Sequence, residues 1–244
     1  MRVVDPECGG PVVWSAMPRT ILVTEGSSPL GAALVRRLAA RGYSVAAACD
    51  RAGRPDAPDR ADGVPSGEPG LSLPWNRRSA ASARTILLTV TNTLGPLDEA
   101  LILEPALSVA SGSGAAGIAS ASSADVDRAF DDAKGPFLAA REVLAGFLAR
   151  GAGVVTFVGG GPASGPLEAA VREAFRGMAA ALMSSPGSAG IVANGFQAGP
   201  VEPEEYAAFI DRTLEERARK TGGRWYAWQS RPGLFQGGRS RRQS

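Results

Sequence analysis

The sequence predicts a doubly wound parallel α/β sheet with helices on both faces, built as a single domain. Three observations carry that prediction. Short runs such as "TILVTE" and "GVVTFVGG" are apolar without alternation, as strands buried on both faces are. Between such runs lie longer stretches with apolar residues at helical spacing, and the connections are brief and marked by Gly or Pro. The chain is 244 residues long and 44% apolar, enough for one sizeable core.

Residues 1–18 read as an N-terminal extension, with Met17 a possible second start. "TILVTE" is the first strand. "PLGAALVRRLAARG" follows as a helix, with Pro29 opening it, Leu30, Leu34, Val35 and Leu38 on one face, and Gly42 closing it. "YSVAAACD" is a second strand, and residues 51–70 form a Pro/Gly/Asp-rich loop without periodicity. "AASARTILLTVTNTLG" reads as a helix, "PLDEALILEPAL" holds a strand, and "SGSGAAGIASASSA" reads as low-complexity loop. A long helix over 125–151 precedes the strand "GVVTFVGG". The helix "PLEAAVREAFRGMAAALMSS", the strand "GIVANGFQ", a helix over 202–220 and a last strand "GRWYAWQ" complete the order. The domain therefore spans 19–232, with a basic Gly/Ser-rich tail over 233–244.

Composition removes several classes of function. Net charge is +2, so no electrostatic case for nucleic acid arises, and no window has the length and apolarity of a membrane span. Residues 1–16 lack the apolar segment of a signal peptide, which makes a cytoplasmic location the expectation. Cys8 and Cys49 provide neither a disulfide framework nor a metal-ligand spacing, and no metal is expected. Histidine is absent, so any chemistry must use carboxylates, hydroxyls, arginine or a cofactor.

Several landmarks occur in a telling order. "TEGSSPLG" resembles a Thr-Gly-x-x-x-Gly-x-Gly turn, and "LGPLDEALILEPA" resembles a stretch that ends in Asn-Asn-Ala-Gly. "DDAKGPF" resembles Asn-x-x-Gly, "EAAVREAFRGM" resembles Tyr-x-x-x-Lys, and "IVANGFQAGPV" resembles a strand closing on Pro-Gly. Together they resemble the short-chain dehydrogenase/reductase family over residues 19–232, which implies a Rossmann-like fold. Laid residue by residue, the family's catalytic Tyr falls on Glu168, its Lys on Arg172 and its active-site Asn on Asp132. Its Ser falls on Gly159 or Gly160, with Ser164 the nearest hydroxyl. The chain thus resembles a divergent member without the Ser/Tyr/Lys/Asn set. Tyr in that family delivers a proton as hydride arrives, a role closed to a carboxylate of ordinary acidity, which is ionised at neutral pH. Glu168 and Arg172, at i and i+4, are suited to a helical ion pair.

The cofactor turn is equally altered. Gly26, Ser27, Ser28, Gly31 and Asp50 are the residues left to hold a dinucleotide, in a degenerate site. Glu25 brings a carboxylate toward the phosphates, where like charges at ~4 Å and an effective dielectric of ~20 repel by ~4 kcal/mol. Asp50 has two readings: a ribose-binding carboxylate, which would select NAD(H) over NADP(H), or a loop aspartate neutralised by Arg51. No cofactor is expected. The family's lid after Pro-Gly is missing as well, since "AGPV" runs straight into "EPEEY".

These readings predict a catalytically degenerate partner subunit, homo- or hetero-oligomeric with a related chain through helices near 136–149 and 168–183. The second of these helices carries apolar residues on more than one stripe, which predicts burial on two sides. Classical NAD(P)-dependent oxidoreductase activity is not expected. One alternative is a non-redox cyclase, isomerase or lyase using Asp132, Glu168 and Arg172 in an open cleft. Another is an NAD(H)-dependent oxidoreductase with an atypical proton donor.

Overall fold

A computed structural model describes residues 18–50, 70–107, 114–161, 163–184 and 190–228. Apart from Pro18, the predicted extension and the tail lie outside the described residues, as do Arg51 and most of the 51–70 loop. Seven strands form one parallel sheet: β1 (Thr20–Val23), β2 (Ser44–Asp50), β3 (Leu71–Trp75), β4 (Glu99–Leu103), β5 (Gly153–Val158), β6 (Ile191–Gln197) and β7 (Arg224–Ala227). Their spatial order is β3-β2-β1-β4-β5-β6-β7. Crossover helices are α1 (Pro29–Ala40), α2 (Ala80–Leu94), α3 (Gly114–Ser120), α4 (Ser123–Arg150), α5 (Pro166–Ser184) and α6 (Pro203–Thr213), the last running into a π-turn at Leu214–Ala218. This is the Rossmann-like arrangement that the sequence predicts.

Alternation along the buried strands divides the core in two. Ile21, Val23, Val45, Ala47, Leu101 and Leu103 face α1 and α6, meeting Leu34, Leu38, Tyr206 and Ile210. Leu22, Ala46, Ala48, Ala100, Ile102 and Phe157 face α2, α4 and α5, meeting Val90, Val143, Phe147 and Phe175. Each central strand thus buries both faces, which explains its unbroken apolar run.

Two elements correct the sequence reading. β3 was passed over because Pro74 interrupts a short run. It is an edge strand paired with β2 alone, where a missing N–H is tolerated. α3 occupies seven residues that read as loop, because Gly and Ser hide a helical turn. The long helix is capped as its ends suggest: Ser122 and Asp125 form a capping box, and Gly151 closes it in the left-handed conformation.

At the opposite end of the sheet from the strand C-termini, Glu99 is fully buried at the start of β4. It accepts a hydrogen bond from Arg219 Nε at 2.6 Å and lies 3.6 Å from Arg19. Burial pushes its carboxyl up, and the two guanidinium groups oppose that. Removing one partner strands a buried charge. Arg219→Met should therefore lower stability by about 3 kcal/mol or more, read from the midpoint of urea unfolding.

Candidate functional site

The chain passes from β3 at one edge to β4 on the other side of β1, so the sheet has its switch point between β1 and β4. Ligand crevices of open α/β sheets lie at the strand C-termini there. Thr24 ties the point together: its N–H donates to the Leu101 carbonyl at 3.0 Å, and its hydroxyl oxygen accepts the Leu103 N–H at 2.8 Å. The next residue, Glu25, has φ of 54°, the left-handed conformation that favours glycine.

Local packing fixes the rest of the turn. Gly26 donates to the Ala48 carbonyl at 2.9 Å, and a Cβ there would lie 2.7 Å from Ala47 Cβ. Ser27 is exposed. Ser28 caps α1, its hydroxyl accepting the Gly31 N–H at 3.0 Å. A Cβ on Gly31 would lie 2.1 Å from the Glu25 carbonyl oxygen, so glycine is required where helix and turn meet. Of these candidates, Gly26, Ser28 and Gly31 all hold the turn to itself.

Asp50 and Glu25 share a partner that sequence reasoning did not name. Arg77, two residues beyond β3 and only 8% exposed, donates from Nε to Asp50 Oδ2 at 2.7 Å, and its Nη2 lies 2.5 Å from the same oxygen in an ion pair. Its Nη1 donates to the Ala106 carbonyl at 2.6 Å. Nε also lies 3.6 Å from Oε1 of Glu25, whose side chain turns inward and is buried. Gly135 of α4 makes room, since a Cβ there would come within 2.9 Å of Arg77 Cβ. One guanidinium thus joins the end of β2, the β1–α1 turn and the segment after β4. Recognising β3 would have exposed the signal, an arginine at a strand C-terminus beside Asp50.

Asp132 is buried on α4 and accepts from Arg78 Nη2 at 3.3 Å. Its charge, with that of Asp50, adds to the burial that pushes Glu25 up to about 7, while Arg77 opposes the rise.

A second cluster forms where the resemblance places its catalytic residues. Arg172 Nε donates to Glu104 Oε1 at 2.7 Å, and its Nη2 to Glu168 Oε1 at 3.3 Å. The helical ion pair expected of Glu168 and Arg172 is therefore present. Glu168 Oε2 accepts the Ser164 N–H at 2.7 Å and the Ser164 hydroxyl, closing the start of α5. Glu104, the residue after β4, receives the Gly160 N–H on Oε2 at 2.9 Å. Tyr206 of α6 donates to the Gly159 carbonyl at 3.0 Å, and burial followed by the Glu104 charge raises its hydroxyl. Glu104 is a site residue not expected from the sequence, although a carboxylate directly after the buried run "EALIL" is a signal of it. Chemically, both oxygens of Glu168 and of Glu104 are occupied by donors of the chain itself.

An open cleft of about 340 Å³ lies beside this cluster, between α5 and the ends of β6 and β7. Residues 198–202 alone join β6 to α6, and among the described residues no segment of that connection covers the cleft. Among the described residues no group of three or more acidic or sulfur ligands could hold a metal, and no helix is long and apolar enough to cross a membrane.

No protein-family model and no curated protein matches the sequence. Solved structures do. A dehydrogenase/reductase from Sinorhizobium meliloti 1021 aligns with a TM-score of 0.64 at 20% identity, covering 87% of this chain and 94% of that one. Levodione reductase aligns with a TM-score of 0.67 at 18% identity, covering 86% and 95%. The fold is short-chain dehydrogenase/reductase-like. At these identities the likeness concerns the fold.

The Glu25 cluster sets a pH dependence. A carboxyl whose pKa rises on folding stabilises the native state below its ordinary value of 4.5, and that contribution is lost as pH climbs through about 7. The span corresponds to at most about 3 kcal/mol. Glu25→Gln should flatten stability between these values and raise it at pH 8, measured by urea unfolding across pH.

Proposed function

We propose that this chain is a non-catalytic partner subunit, a reductase-like scaffold that associates with a copy of itself or a related chain through α4 and α5. The observation that carries the reading is Arg77 seated on Asp50. In dinucleotide-binding sheets, the carboxylate ending the second strand holds the adenosine ribose hydroxyls. Here that carboxylate accepts the Nε–H of a buried arginine and forms an ion pair with it, and the same arginine also holds Ala106. The Glu25 carboxylate at the turn adds like charge toward a pyrophosphate. These residues do not fit a dinucleotide held in the family's manner, and no hydride step is derived for this chain.

The positions aligned with the family's catalytic set support the same reading. Glu168 serves as a cap and ion-pair partner, Arg172 bridges two glutamates, and Gly159 and Gly160 bear no hydroxyl. A proton donor in place of the phenol is missing from this set.

Surface chemistry supports association. Along α4, Phe137 and Leu148 are 43% and 57% exposed, and Phe130 is exposed as well. On α5 the buried stripe is Leu167, Val171, Phe175 and Ala179, while Ala169, Ala170, Gly177, Ala180 and Ala181 face outward. Among the described residues nothing covers this second stripe, contrary to the expected burial on two sides. Small residues there allow another helix to approach closely, and the phenylalanines supply apolar area at the rim.

Two measurements test the proposal. Calorimetric titration with NADH should show no saturable binding below about 1 mM, and sub-millimolar binding would overturn it. In sedimentation velocity the protein, alone or co-expressed with a related reductase subunit, should run as an oligomer that Phe137→Glu dissociates. A monodisperse monomer under both conditions would refute the partner role.

A further inference from the structure

The open cleft offers a chemistry that neither ion cluster uses. Its floor is Gly159–Gly161, where a Cβ on Gly160 would meet nothing within 4 Å, so a ligand can approach the backbone. One wall is aromatic. Trp225 of β7 packs over β6 on the α5 face, where a Cβ on Gly195 would come within 2.3 Å of its ring, and Trp228, after the strand's end, borders the cleft from the α6 side. Trp228 is propped edge-on by Phe209, with ring centroids 5.4 Å apart. Opposite stands Arg176 of α5, which reaches Gln197 Oε1 at 3.2 Å.

Charge decides what this space suits. Glu104, the acidic residue on the lining, is matched by Arg172 at 2.7 Å and by the Gly160 N–H. Among the described residues the carboxylate partner of Arg176 is Glu173, at 3.3 Å, and that side chain is 68% exposed. Such a solvated pair is weak and readily exchanged. The cleft therefore brings one exchangeable guanidinium and the Trp225 indole to the same face of the sheet. A guanidinium fork matches a carboxylate in two parallel hydrogen bonds, and indole faces receive planar rings. The volume of about 340 Å³ sits within the ~300–1,000 Å³ of small-molecule sites.

We propose that this cleft binds a planar aromatic carboxylate, with its ring against Trp225 and its carboxylate on Arg176. The site is a binding site, independent of the partner-subunit reading, and it requires no dinucleotide. Its ligand contacts none of the Arg77 cluster.

Titration of the full chain with 2-naphthoate tests it, followed by intrinsic tryptophan fluorescence and by calorimetry. The expected result is saturable binding in both readouts. Arg176→Gln, a change at a half-exposed side chain, should weaken it at least tenfold while leaving the circular dichroism spectrum unchanged. The neutral 2-naphthalenemethanol should bind at least tenfold more weakly to the wild type, with no difference between wild type and variant. Cyclohexanecarboxylate, which keeps the charge and lacks the planar ring, should also bind at least tenfold more weakly. Absence of saturation up to several millimolar would overturn the proposal. Equal affinity of Arg176→Gln for 2-naphthoate, or of the wild type for either control compound, would overturn it too. NADH plays no part in this experiment, so its outcome is separate from that of the subunit assignment.

Discussion

A guanidinium withdrawn from water must have its donors and its charge answered inside the protein, and Arg77 is answered by three different segments. Asp50 at the end of β2 takes the Nε–H and pairs with the charge, Ala106 beyond β4 takes the Nη1–H, and Glu25 in the β1–α1 turn stands 3.6 Å away. These segments lie on both sides of the switch point, so the contact fixes the mouth of the sheet in three directions. The geometry also accounts for two otherwise unfavourable residues. Glu25 tolerates a left-handed backbone because its inward carboxylate has a cation to face, and Gly135 is a glycine because Arg77 passes over it. A buried ion pair of this kind contributes more to a defined arrangement than to net stability, since desolvation offsets its attraction.

The second cluster follows the same logic across β4 and β5. Arg172 lies between Glu104 and Glu168, Glu104 holds the Gly160 N–H, and Tyr206 holds the neighbouring Gly159 carbonyl. Groups that could act as acid, base or anion binder are each directed at another group of the chain. In both clusters arginine is the hub, as expected of a fold without histidine and with lysine at only Lys134 and Lys220. The two hubs turn the crevice from a place that receives ligand polar groups into one that satisfies its own.

How far the sequence showed this depends on the range of each interaction. Strands such as β1 and β5 and the helix α1 were legible because burial on both faces and helical spacing are written within a few residues. The pair of Glu168 and Arg172 was legible for the same reason, being one helical turn apart. β3 was not, because Pro74 is acceptable only at an edge, and edge position is a property of the assembled sheet. Missing β3 concealed Arg77, and with it the partner of Asp50: the two residues are 27 positions apart and meet only once β2 and β3 pair. Glu104 and Arg172, 68 positions apart, are likewise joined by topology. The open face of α5 could be read as apolar from sequence, but whether its own chain covered it could not.

This internal neutralisation has a consequence for how the fold is maintained. A subunit that binds a cofactor draws part of its native stability from that ligand, in proportion to its concentration over the dissociation constant. When Arg77 supplies the counter-charge to Asp50, the same carboxylate is neutralised at every ligand concentration. Packing holds Gly31 to glycine, since a Cβ there would lie 2.1 Å from the Glu25 carbonyl oxygen, whereas Glu25 keeps its left-handed backbone with an inward carboxylate facing Arg77. What the scaffold then has left to offer is surface: the outward stripe of α5, the phenylalanines of α4 and the indole-walled cleft between α5 and β7.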